Sequence, residues 1–154
     1  MRLSEYMEPE LVTVDMKADD GRQLVDELTR LICSQHDYID RDLLANAFIE
    51  RQHKGRAGLE CGIAVYHALV RGLKRPVFAI ARLADELDLG TLDGTPVRIV
   101  FALVSPEDSP ATHVRLLARM ARLFNRPKIQ NRIRAAASRL ELYNLLRKED
   151  AGHV

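Results

Sequence analysis

Two of the five histidines stand where an imidazole could act on a phosphoryl group or a metal ion. His67 closes the apolar run Gly62–Tyr66. A strand ending there would hold its ring on a rigid element at the rim of a sheet, within reach of a cleft. His113 follows Ser109-Pro110-Ala111-Thr112, in the first turn of an expected helix. Backbone N–H groups in such a turn lack intrahelical partners and the helix dipole is positive, so an anion beside it is stabilised. Two imidazoles of this kind with an arginine would make a phosphate site. With His53 as a third ligand the same pair would instead suit a metal, although the spacing follows no short ligand motif and no Asp or Glu is partnered with it. A packed, hydrogen-bonded histidine explains an unaided His67 as well. His36, at an expected helix end, and His153, near the C-terminus, read as solvated. Arg115, Arg119, Arg122 and Arg126 form a basic stripe on the helix that begins at His113. A solvated face accounts for that stripe, and so would a docking surface for an acidic partner. Cys33 and Cys61 have no CxxC partner and give neither a disulfide framework nor a structural zinc pattern.

The elements that must carry these side chains are legible in the periodicity. Leu11-Val12-Thr13-Val14-Asp15 predicts a short strand. Asp19-Asp20-Gly21 starts a helix whose Leu24, Val25, Leu28, Leu31 and Ile32 share a face, ended by His36-Asp37. Asp40 opens another, carried by Leu43, Leu44, Ala47 and Phe48 to Arg51, and the polar stretch Gln52–Gly58 reads as a surface loop. The apolar runs Gly62–Tyr66 and Pro76–Ala81 predict strands buried in a sheet. Val97–Val104 predicts another, between the turn Leu92–Pro96 and Ser105-Pro106. Three helices follow: Thr112–Phe124, burying Val114, Leu117, Ala118 and Ala121; Pro127–Ala137, with Ile129 and Ile133; and a last one capped by Ser138, with Leu140, Leu142, Tyr143 and Leu146. Helices before, between and after strands imply an α/β three-layer sandwich, a mixed β-sheet flanked by helices on both faces.

Composition narrows the class. A length of 154 residues with 47% hydrophobic content fits a single folded domain, residues 1–154. No window approaches the ~18 uninterrupted apolar residues of a membrane span, and MRLSEYMEPE is acidic where a signal peptide is basic and then apolar. The expectation is a cytoplasmic protein with no membrane insertion. A net charge of +1, 5% aromatic residues and no recognised motif argue against nucleic acid as a partner. The charge is unevenly spread: residues 1–50 carry five basic and twelve acidic side chains, residues 51–154 eighteen and ten. His67 and His113 lie in the positive part.

The run Arg51-Gln52-His53-Lys54-Gly55-Arg56-Ala57-Gly58-Leu59-Glu60-Cys61-Gly62-Ile63-Ala64-Val65-Tyr66-His67-Ala68 resembles the active-site segment of enzyme IIA domains of the phosphoenolpyruvate phosphotransferase system, mannitol/fructose class. There an arginine precedes a glycine-rich loop and a strand ending in Pro-His by the same interval. The similarity continues through Leu92–Val97 and Val100–Pro106 to Thr112-His113. Ile133–Ala137 and Glu141-Leu142-Tyr143 are most like the free-standing nitrogen-regulatory, or PtsN, branch.

The resemblance implies a phosphoryl carrier with His67 phosphorylated, His113 as the second active-site histidine and Arg51 as the matching arginine. A neutral imidazole attacks the phosphoryl group, and flanking cationic or N–H donors stabilise its oxygens. The donor would be a small histidine phosphocarrier protein of HPr or NPr type, and the recipient a IIB domain or a regulatory protein controlled by phosphorylation state. No cofactor and no metal are implied. A chain of 154 residues leaves no room for a IIB or IIC segment, so sugar transport by this chain itself is not expected. Three positions depart from the pattern: Tyr66 stands where the family has proline, Cys61 where a polar Asn or Glu is usual, and Ala57 where a small hydroxyl residue is common. Tyr66 removes the fixed φ and missing N–H of proline and would set a phenol beside the nucleophile. A second reading follows, a non-phosphorylated module of the same fold that holds an acidic partner on the arginine stripe.

Overall fold

The computed structural model describes residues 2–53, 61–91 and 93–152. Two 3₁₀ turns, Leu3–Tyr6 and Pro9–Leu11, lead into β1 (Val12–Met16), α1 (Gly21–Gln35), α2 (Arg41–His53), β2 (Ile63–Val70), β3 (Val77–Leu87), β4 (Val97–Pro106), α3 (Pro110–Phe124), α4 (Pro127–Ala135) and α5 (Arg139–Gly152). The strands form one sheet in the order β1-β3-β4-β2. β1 runs parallel to β3 and β2 parallel to β4, while β3 and β4 are antiparallel. The sheet is therefore mixed, with β2 at one edge.

Side-chain alternation along the strands separates two apolar layers. Ala64, Tyr66, Ala68, Val100, Ala102 and Val104 pack with Leu24, Leu28, Leu44 and Phe48 of α1 and α2. On the other face Ile63, Phe78, Ile80, Phe101 and Leu103 pack with Leu116, Met120, Phe124, Ile133, Leu142 and Leu146 of α3, α4 and α5. Helices cover both faces, as the sequence implied, and the inner strands are apolar on both sides because neither face meets water.

Several of the expected details change. β2 continues to Val70, paired in register with β4 from Ile63↔Ile99 to Val70↔Pro106. His67 thus lies within the strand rather than at its end: the ladder with β4 keeps the chain extended past the point where the apolar run stops. α3 is also turned from the expected face. Val114 is 63% exposed and Ala118 and Ala121 are exposed, whereas His113, Leu116, Met120, Leu123 and Phe124 are buried. The larger side chains win the core, because Phe124 stacks on Phe101 at 4.6 Å between ring centroids. Leu140 of α5 is likewise exposed, at 61%.

Polar contacts fix the helices that frame β2. Asp20 caps α1, accepting from the Gln23 N–H at 2.8 Å. Arg82 of β3 donates to the carbonyls of Ile133 and Ala136 and closes the C-terminal end of α4. From α4, Arg134 donates to the Cys61 carbonyl, while the Cys61 N–H donates to Asp93 at 3.0 Å. Cys61 and Gly62 both have positive φ, 61° and 74°. A Cβ on Gly62 would sit 2.9 Å from the Pro96 carbonyl oxygen, so the chain can enter β2 this close to β4 only as glycine.

Candidate functional site

β2 sends alternate side chains to opposite faces, and His67 falls on the α3 side with Ile63 and Val65. α3 begins at Pro110, which sets His113 in its first turn, buried against the sheet. The two rings meet: His67 Nδ1 is 3.0 Å from His113 Nε2, with ring centroids 5.1 Å apart. Behind them, His113 Nδ1 is 2.7 Å from the hydroxyl of Ser105, a fully buried residue of β4. The order is Ser105–His113–His67, leading from the core to the sheet edge, and it leaves Nε2 of His67 at the outer end.

Burial and nearby charge favour the neutral form of both rings. Burial, then the Arg51 charge, then His113 lower the His67 pKa to about 4. Burial and Arg51 lower that of His113 as well. A half-buried Arg51 in the last turn of α2 therefore acts on both rings. The sequence-predicted trio draws on three elements, α2, β2 and α3, which this topology gathers at the β2 edge. Ser105 was not foreseen as a site residue; its one signal is a hydroxyl at the end of the apolar run Ile99–Val104.

The remaining candidates do not join this cluster. His53 is exposed at the end of α2 and His36 lies 3.1 Å from a Glu8 oxygen. His153, Ala57 and most of the expected Gln52–Gly58 loop fall outside the described residues, and Gln52 and His53 themselves belong to α2. Among the described residues no three His, Cys, Asp or Glu side chains are grouped to hold a metal ion. The arginine stripe is broken at its second member: Arg119 is buried, its Nε donating to Asp150 at 2.7 Å and its Nη2 to the Asp150 carbonyl at 2.7 Å. Arg115 and Arg122 are exposed. The same rotation of α3 that buries His113 draws Arg119 inward.

Tyr66 is not beside His67. It points to the opposite face, fully buried, edge-on to Phe48 at 5.5 Å, and its hydroxyl accepts from Gln52 Nε2 at 2.5 Å. Burial pushes the phenol up to about 12, against the pull of the Gln52 hydrogen bond. The phenol therefore cannot narrow a cleft at His67, and it lends no support to a module silenced by crowding of the histidine. Two apolar side chains are exposed near the rings in sequence: Leu69 is 41% exposed, two residues beyond His67 on the same strand face, and Val114 adjoins His113.

An edge-strand histidine backed by a second histidine and an arginine, in a mixed sheet between two helical layers, sets this protein among the enzyme IIA folds. The chain belongs to the EIIA 2 family of the phosphoenolpyruvate-dependent sugar phosphotransferase system, whose model matches residues 5–149. It is similar to the nitrogen regulatory protein of Bradyrhizobium diazoefficiens, 27% identical over 146 residues and covering 95% of each chain. Its fold matches that of the nitrogen regulatory protein IIA-Ntr of Neisseria meningitidis, with a TM-score of 0.85 at 23% identity, covering 94% of this chain and 98% of that one. It also matches the enzyme IIA of mannitol from Escherichia coli solved in complex with phosphorylated enzyme IIB, with a TM-score of 0.73 at 13% identity, covering 92% and 99%. A regulatory phosphocarrier role in the phosphotransferase system is the class of function this family carries. No helix among the described residues is long and apolar enough to cross a membrane.

Proposed function

We propose that this chain accepts a phosphoryl group on Nε2 of His67 from a phosphorylated small histidine phosphocarrier protein of HPr or NPr type. The phosphorylation state then governs its binding to regulatory partners, or the group passes on to a IIB domain. This reading sets the reaction in the cytoplasm. The observation that carries it is the Ser105–His113–His67 chain of contacts. If Nδ1–H of His113 donates to Ser105 and Nδ1–H of His67 donates to His113 Nε2, the lone pair of His67 is left on Nε2, facing out. That nitrogen attacks phosphorus; the new N–P bond forms as the donor's N–P bond breaks, and the donor imidazole recovers the electron pair. The His67 ring gains positive charge in the step, which the hydrogen bond to His113 spreads. Arg51 and the positive N-terminal end of α3 offset the charge on the phosphoryl oxygens. Leu69 and Val114 supply apolar surface on which a partner can seat.

Incubation with the phosphorylated carrier and a labelled phosphoryl group tests this. Acid-labile label is expected on the wild type and none on His67→Ala; label that survives His67→Ala, or no label at all, overturns the reading.

A further inference from the structure

Tyr66 and Gln52 each adjoin a residue of the site. Tyr66 immediately precedes His67 in β2, and Gln52 immediately follows Arg51 in α2. On the face of the sheet away from His67, the Gln52 side-chain amide donates both its hydrogens, to the Tyr66 hydroxyl at 2.5 Å and to the Gly21 carbonyl at 2.8 Å. One amide thus joins β2, the last turn of α2 and the start of α1. The amide packs closely on Gly21, where a Cβ would lie 3.0 Å from the Gln52 nitrogen. Helical ends fray readily, and α2 has no apolar side chain after Ile49 with which to press its final turn, Glu50-Arg51-Gln52-His53, onto the core. A proline at position 66 would offer Gln52 no hydrogen-bonding side-chain atom.

We propose that the Tyr66–Gln52–Gly21 bracket is a positioning device for Arg51: it locks the end of α2 against β2 so that the guanidinium, one residue before Gln52, is held where its charge acts on the imidazole one residue after Tyr66. The role assigned to Arg51 in transfer rests on the phosphocarrier reading; the placement of Arg51 by the bracket does not. Misplacing a charged group by about 1 Å can cost up to roughly a hundredfold in rate. With the ring of Tyr66 retained and only its oxygen removed, Tyr66→Phe should slow transfer to His67 by about tenfold.

A direct test is the ring titration of His67, followed by NMR in the unphosphorylated full chain, alongside single-turnover transfer. Arg51 from α2 and His113 from α3 are the groups that act on that ring. Tyr66→Phe and Gln52→Ala should each raise the His67 midpoint as Arg51 drifts away, and the double variant should raise it no further. In an Arg51→Gln background, Tyr66→Phe should leave the midpoint where Arg51→Gln alone puts it. A purely structural role would lower thermal stability without moving the midpoint. An unchanged midpoint in folded Tyr66→Phe overturns the bracket, and so does a shift that persists without Arg51. If the wild type takes no phosphoryl group, the phosphocarrier reading falls, while the titration still decides the bracket.

Discussion

Substituting Ser105 by alanine removes one oxygen, and the consequence can be followed atom by atom. The hydroxyl lies 2.7 Å from His113 Nδ1 in a fully buried position, and alanine fills nearly the same volume. Without it, an Nδ1–H on His113 loses its acceptor in the core. The ring then favours the tautomer protonated on Nε2, which donates across the 3.0 Å contact to His67 Nδ1. His67 must in turn carry its proton on Nε2, the nitrogen that has to attack. A neutral buried hydrogen bond is worth about 1–1.5 kcal/mol net. At ~1.4 kcal/mol per factor of ten, the reactive tautomer should fall roughly five- to tenfold. Rapid-quench transfer of a labelled phosphoryl group from the carrier should slow by that factor in Ser105→Ala, with the fold unchanged. Long-range proton–nitrogen NMR should show the His113 proton moving from Nδ1 to Nε2. Transfer within about twofold of the wild type, with the proton still on Nδ1, would refute the argument.

Two further expectations concern pH. His67 is lowered from 6.5 to about 4, so about nine-tenths of its rings stay neutral at pH 5, where an ordinary histidine is almost wholly charged. Because the unfolded chain binds this proton first, the His67 contribution to stability should decline as pH falls from 6.5 towards 4, and an NMR midpoint near 6.5 would contradict the burial argument. On α5, burial would raise the Asp150 carboxyl, but the Ser4 N–H and the Arg119 guanidinium outweigh it and hold the carboxyl below its ordinary range. That stability is present above the ordinary carboxylate pKa and lost as pH falls through the lowered one. Arg119→Met should therefore cost about 3 kcal/mol at neutral pH, roughly 6–12 °C in Tm, with the deficit narrowing in acid as Asp150 takes a proton; a deficit independent of pH would rule this out.

The order and type of the elements were legible because periodicity, caps and turn residues agree: Asp20 and Ser138, both expected helix starts, accept from Gln23 and Glu141 N–H groups. His67 and His113 were legible as residue types at element ends, and Arg51 by resemblance alone. Strand length was hidden, since β2 runs on to Val70 only because β4 lies alongside it. The facing of α3 was hidden too, as apolar residues occur on both its sides and the choice falls to whichever set meets Phe101 and the sheet. Once that face is fixed, the burial of Arg119 and the breaking of the stripe follow. The direction of Tyr66 was within reach: in a strand, consecutive residues point to opposite faces, so a residue adjoining an edge histidine cannot share its cleft.

The most direct measurement of the central claim is phosphorus and nitrogen NMR of the chain after incubation with the phosphorylated carrier. A phosphoramidate bonded to Nε2 of His67, with Nδ1 protonated towards His113, is the predicted result. A phosphoryl group on His113, on Nδ1 of His67, or on neither ring would contradict it.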